Sequence, residues 1–144
     1  MLFRSSDMEL NLSTNYAIRI MLMLVDKEEA VNARQISEDM KIPINTCKKN
    51  LQLLKNAGLV KSNAGVAGGY FLGRDPGKIT IRDIGKAMGE NLILNRCLER
   101  DCFCNRDAVE ACTVRKIHAE AQKTFDKAFG TTLRQLACCG GESQ

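Results

Sequence analysis

The sequence contains no tryptophan, two prolines, one histidine and only 5% aromatic residues among its 144 positions. Such a shortage of helix breakers and aromatic mass argues against a sandwich or barrel of strands and for a mainly α protein. Long apolar runs are missing as well. The longest, Tyr16 to Val25, is interrupted by Arg19 and is too short to cross a membrane. It lacks the small-residue cleavage site of a secretory signal, so no membrane is expected and the chain is expected in the cytoplasm. A lone histidine leaves little for triad chemistry. That makes a thiol enzyme a remote alternative and a non-enzyme the expectation. Charge of one sign is not in great excess: 21 Lys and Arg against 17 Asp and Glu leave a net charge of +4, which permits nucleic acid without demanding it.

What is present is helical periodicity broken by one hairpin. Residues 1–7 have no pattern and are expected to form a loose tip. Ser13 or Thr14 is placed to cap a helix whose inward residues are Tyr16, Ala17, Ile20, Met21, Leu24 and Val25. Asn32 starts a short helix with Ile36 and Met40 inward, and Pro43 opens a second one running to Ala57 and stopped by Gly58. Two short helices joined by a tight turn suggest helix-turn-helix. In the second, Ile44, Cys47, Leu51 and Leu54 follow steps of three and four, leaving Asn45, Lys48, Lys49, Gln52 and Asn56 outward. From Pro43 to Lys61 the chain has no acid. An outward row of amides and amines without acids can donate to phosphate oxygens and base edges, so double-stranded DNA is the expected partner.

Two short strands, Leu59 to Ser62 and Tyr70 to Leu72, flank a glycine-rich tip. A hairpin directly after two such helices is the wing of a winged helix-turn-helix. The candidate DNA contacts are Arg34, Asn45, Thr46, Lys48, Lys49 and Gln52 in the helices, and Lys61, Ser62, Asn63, Gly68, Gly69 and Tyr70 in the wing. Thr80 with Asp83, and Thr132 with Gln135, form capping boxes for two later helices. Between those helices, Val114, Ile117, Ala121, Phe125 and Ala128 mark a long apolar stripe, more than one small domain can bury. A second copy of the chain is its simplest partner. The expected organisation is a winged domain over residues 8–90, a cysteine-rich loop over 91–112, a dimerisation helix with a short terminal helix over 113–137, and a flexible tail over 138–144.

Four of the seven cysteines, Cys97, Cys102, Cys104 and Cys112, fall in one polar stretch without proline or glycine. Thiols converging from such a loop suit a soft metal or an iron–sulfur cluster. Structural zinc, a redox disulfide and chance clustering are the alternatives, and the spacing lacks the short C-x-x-C knuckles typical of zinc. Cys47 falls on an inward helix face as a small buried apolar group.

In this order the elements resemble the Rrf-two family of winged-helix regulators, which includes IscR-type and NsrR-type repressors. The resemblance is carried by Leu12 to Leu24 with Tyr16, Ala17 and Arg19; by Ala57-Gly58-Leu59-Val60-Lys61-Ser62; by Gly65, Gly68-Gly69-Tyr70 and Leu72; by Ile79-Thr80-Ile81 with Asp83-Ile84; and by Thr132-Leu133. It implies a homodimeric transcription factor, probing the major groove with one recognition helix per subunit and the minor groove with its wing. It further implies an iron–sulfur cluster, two-iron or four-iron, on Cys97, Cys104 and Cys112, with Cys102 as the alternative middle ligand. Oxygen, nitric oxide or iron shortage would then alter DNA affinity. Three departures stand out. Ala64 replaces a common arginine before the first wing glycine, and Thr46-Cys47 replaces a common Tyr-Leu. Arg115 replaces the histidine that serves some relatives as fourth ligand, so that ligand is open, with Asn15, Glu9, Cys102 or an external group in its place. His118, on a different helical face from Cys112, is expected to be a surface or packing residue. Within the same family, a cluster-free regulator switched by a disulfide, by zinc or by a partner protein is the alternative.

Overall fold

Asn11 begins the first helix by accepting the Ser13 backbone N–H on its side-chain oxygen, and α1 runs Leu12–Val25. The cap therefore lies ahead of Ser13 and Thr14, whose hydroxyls are engaged with other parts of the chain. In the computed structural model, residues 10–101, 104 and 106–140 are described; the expected loose tip, Glu9 and Cys102 lie outside them. After α1 come α2 (Ala33–Met40), α3 (Ile44–Asn56), β1 (Val60–Asn63), β2 (Gly69–Leu72), α4 (Ile81–Ala87), α5 (Thr113–Phe129) and α6 (Leu133–Cys139). Single 3-10 turns occur at Pro76–Lys78 and Arg96–Leu98. The fold is mainly α, with six helices and one antiparallel pair among the described residues: a winged helix-turn-helix followed by a long helix.

The two capping boxes form as their sequences require, with Thr80 and Thr132 each exchanging bonds with the third residue of its helix. The threonines themselves pair across an antiparallel bridge. Leu133 donates its N–H to the Ile79 carbonyl at 2.9 Å, which returns the end of the chain to the winged core.

That core is apolar. Ala17, Ile20, Met21 and Leu24 of α1, Ile36 of α2, Cys47, Leu51 and Leu54 of α3, Ile79, Ile84 of α4 and Leu133 of α6 are all buried. Complete burial of a large aliphatic side chain contributes about 1.5–3 kcal/mol, so Leu133 packs the start of α6 onto this core. The helix also extends past Ala137 to take in Cys138 and Cys139, which the sequence placed in a tail; both are exposed.

In contrast, α5 buries none of its residues completely. It is held to α4 by the Arg82–Asp126 ion pair, and Gln122 ties it to Leu92 and Leu94 of the preceding segment.

A candidate nucleic-acid interface and cysteine segment

The turn between α2 and α3 is tight. Lys41 takes a left-handed conformation at φ 56°, the Ile42 N–H bonds to the Ser37 carbonyl at 3.0 Å, and the Ser37 hydroxyl donates to the Ile42 carbonyl at 2.6 Å. Ile42 is buried, and Pro43 supplies the fixed φ that starts α3. Asn45, Lys48, Lys49, Gln52, Lys55 and Asn56 are exposed on α3, as is Arg34 on α2, while Thr46 is half-buried. Gln52 donates to the Asn56 side chain at 2.8 Å, which orders two amides of the outer row. Two positions differ from the periodic reading. Ile44, expected inward, is 37% exposed because it begins the helix at the rim of the core, and Asn50 is wholly buried. Asn50 shares the face of Cys47 and Leu54 by steps of three and four, which is the signal that could have found it. Cys47 is buried beneath this helix, and the loss of water around it pushes its thiol pKa up, so it is a packing residue.

The wing pairs Val60 with Leu72, Lys61 with Phe71, Ser62 with Tyr70, and Asn63 with Gly69. Lys61 and Asn63 are exposed and Ser62 is half-buried. At the tip, Gly65 at φ +103° accepts the Gly68 N–H at 3.0 Å, and Val66 is fully exposed. Tyr70 exchanges both backbone bonds with Val31, at 2.8 and 2.9 Å, which ties the wing to the segment ahead of α2. Gly69 lies buried against Val31, and a Cβ on Gly68 would strike the Asn63 carbonyl. These two glycines therefore shape the hairpin, and its outward surface comes from Lys61, Asn63 and the tip.

Matching these elements, the profile of the Rrf2 (Rrf-two) family, described as an iron-dependent transcriptional regulator, aligns with residues 10–138. The chain belongs to the Rrf2 family. It is 30% identical over 132 residues to the protein rrf2 of Nitratidesulfovibrio vulgaris, covering 90% of this chain and 87% of that one. Among solved structures, CymR of B. subtilis, described as the global cysteine regulator, superposes with a TM-score of 0.72 at 26% identity, over 91% of this chain and 97% of that one. T. potens IscR superposes with a TM-score of 0.73 at 22% identity, over 96% and 92%, a likeness of fold. This Rrf2 protein is accordingly a DNA-binding transcriptional regulator, and its relatives are regulators and not enzymes.

Cys97, Cys104 and Cys112 of this Rrf2 chain lie between α4 and the start of α5. Cys97 lies in the Arg96–Leu98 turn, with its N–H held by Asn95 Oδ1 at 3.1 Å and its carbonyl accepting Arg115 Nε–H at 3.3 Å. Cys112 occupies the N-cap of α5 and makes no side-chain cap bond. Backbone N–H groups gather around the Cys104 thiol, first that of Ala108 and then that of Arg106, and lower its pKa against the opposing effect of burial. Asp107, left-handed at φ 53°, closes the turn by bonding to the Cys104 carbonyl. All three thiols are free and half-buried. Among the described residues, no three His, Cys, Asp or Glu side chains form a converged metal site. As donors the three thiols suit a soft metal, and the N–H groups around Cys104 favour the thiolate that ligation requires. Arg115 is engaged with Cys97, and His118, half-buried, has an Nδ1 shielded from solvent without a hydrogen-bond partner.

Proposed function

We propose that the protein is a homodimeric repressor acting in the cytoplasm, whose DNA affinity is set by an iron–sulfur cluster held on Cys97, Cys104 and Cys112. The observation that carries the DNA contact is the exposed, acid-free row of Asn45, Lys48, Lys49, Gln52 and Asn56 on α3, flanked by Arg34 and by Lys61 and Asn63 of the wing. Polar and cationic donors on one helix, with no carboxylate to repel phosphate, suit insertion into the major groove, and the narrow hairpin beside them suits the minor groove. Thr46, Ser62 and Tyr70 contribute from the half-buried margin of the same surface.

The second copy is argued from α5. Val114 is 57% exposed and Ile117 65% exposed, with Ala121 and Ala128 also open and Phe125 stacked on Phe129 at 4.1 Å. A continuous apolar stripe on one helix face is well suited to its own copy around a twofold axis. Two protomers so joined present two recognition helices, and a palindromic operator requires these about 34 Å apart.

When bound, an iron–sulfur cluster supplies metal–thiolate bonds that oxidants, nitric oxide or iron loss can break. Arg115 and Gln122 then hold the cysteine segment against α5, and Cys112 joins that segment to the first turn of the same helix. A change in the segment thereby alters the relation between the dimer helix and the winged core.

The test is anaerobic purification, followed by visible absorbance and iron and sulfide analysis. Coloured protein with iron and sulfide in equal amounts is expected, and Cys97→Ala, Cys104→Ala and Cys112→Ala should each lose the colour while remaining folded dimers. Colourless protein containing zinc would overturn the cluster assignment.

A further inference from the structure

Among the described residues two polar side chains are buried in the core, Thr14 at 1% and Asn50 at 0% exposure, and their hydrogen bonds meet at the adjacent residues Ser13 and Thr14 of α1. Asn50, midway along α3, donates from Nδ2 to the Ser13 carbonyl at 2.9 Å and accepts the Ser13 hydroxyl on Oδ1 at 2.7 Å. The neighbouring Thr14 donates its hydroxyl to Glu90 Oε1, and the same oxygen accepts the Asn11 backbone N–H at 3.0 Å. Glu90 is anchored in turn: its N–H bonds to the Gly85 carbonyl at 3.0 Å, behind Gly89 at φ +80°. It stands at the head of the cysteine segment. Farther along that segment the Leu92 carbonyl and the Leu94 N–H both bond to the Gln122 amide of α5, and the Cys97 carbonyl bonds to Arg115.

An apolar pair would fill the place of Thr14 and Asn50 without risk, whereas a buried polar group left unpaired costs about 1–3 kcal/mol. Buried side chains paired in this way instead favour one arrangement of the elements they join, and loss of one partner penalises the other. Here the elements joined are the recognition helix, the first turn of α1 and the head of the cysteine segment.

We propose that Glu90 and Asn50 are positioning residues, the two ends of a hydrogen-bonded coupling through Ser13 and Thr14 that fixes α3 relative to the cysteine segment. The consequence for DNA rests on α3 being the reading helix, as proposed above; the coupling itself does not. A displacement that pulls Glu90 away leaves Thr14 without its acceptor and loosens the first turn of α1, and with it the Ser13 groups that pair with Asn50 at the centre of α3.

The experiment uses the full chain with Glu90→Ala, which removes both acceptor oxygens; Glu90→Gln, which keeps one at the same reach; and Thr14→Val, which removes only the hydroxyl. Amide hydrogen exchange is measured over the whole protein, and duplex affinity is measured in parallel across salt concentrations. In Glu90→Ala and Thr14→Val, amides of residues 44–51 are expected to exchange about fivefold faster or more while β1 and α6 hold their rates. Glu90→Gln should restore most of the protection. Duplex binding should weaken several-fold in the same order with an unchanged salt slope, because no phosphate contact is lost. Faster exchange confined to residues 11–15 and 85–94, or spread evenly over all helices, overturns the proposal. So does an Ala variant that binds duplex as tightly as a binding-competent wild type. If the wild type binds no duplex, the DNA reading falls, and the exchange pattern still decides the coupling.

Discussion

Gly69 lies so close to Val31 that a Cβ on it would come within 2.5 Å of the Val31 carbonyl carbon. This contact lets Tyr70 exchange its two backbone bonds with Val31 and seats the wing on the core. Gly69→Ala should therefore push the hairpin off the segment ahead of α2 and cost about 2 kcal/mol, in the range of overpacked sites. Val66→Ala, at the open tip, should stay within about 0.5 kcal/mol of the wild type. Urea unfolding of the two variants checks the contrast.

On α3, Lys48 and Lys49 are exposed on the outer face and make no ion pair among the described residues. Lys48→Ala or Lys49→Ala should weaken duplex binding across sequences and reduce the slope of log affinity against log salt by about 1. Fluorescence anisotropy over a salt series measures both. An unchanged slope for each variant would remove those lysines from the DNA surface.

The stripe on α5 leads to a different outcome. Ile117→Glu puts a charge into the centre of the exposed apolar face and should shift the protein from dimer to monomer, with the helical content of the winged domain kept. Sedimentation velocity with circular dichroism reads both quantities.

Asp126 accepts hydrogen bonds from Gln122 and Arg82, which hold its carboxyl below the ordinary 3.8, with Gln122 the larger cause. A carboxyl whose folded-state pKa is depressed stabilises the fold at pH values above its unfolded value and loses that contribution as pH falls through the folded one. Asp126→Asn should thus lower stability at neutral pH, by under about 1 kcal/mol because the pair is partly exposed. The difference from wild type should shrink as pH falls below about 4, in unfolding curves taken at each pH.

Local rules made much of this molecule legible. The capping boxes at Thr80 and Thr132, the outward row of α3 and the hairpin that follows it all depend on residues a few positions apart. The elements whose partners are distant in sequence were harder to read. Ser13 and Thr14 look like caps, yet their hydroxyls reach Asn50 and Glu90, 37 and 76 positions away, and Asn11 caps the helix instead. Leu133 reads as the start of a small terminal helix, and only its docking beside Ile79 makes it core. At the cysteine segment the sequence distinguishes thiols in number and spacing. The backbone donors around Cys104, and the Arg115 bond to Cys97, follow from turns and helix faces that spacing does not encode.

Control by the cysteine segment of the grip of the winged domains on DNA is the step on which the proposed function turns. Its most direct measurement is the affinity of full-length protein for a duplex selected from a random pool, taken anaerobically as purified and again after the metal is stripped by chelation, with Cys97→Ala/Cys104→Ala/Cys112→Ala alongside. Expected are a dimer on each duplex, a change of about tenfold or more between the two states, and a triple variant fixed at the stripped value. Equal affinity in both states and in the triple variant would contradict it.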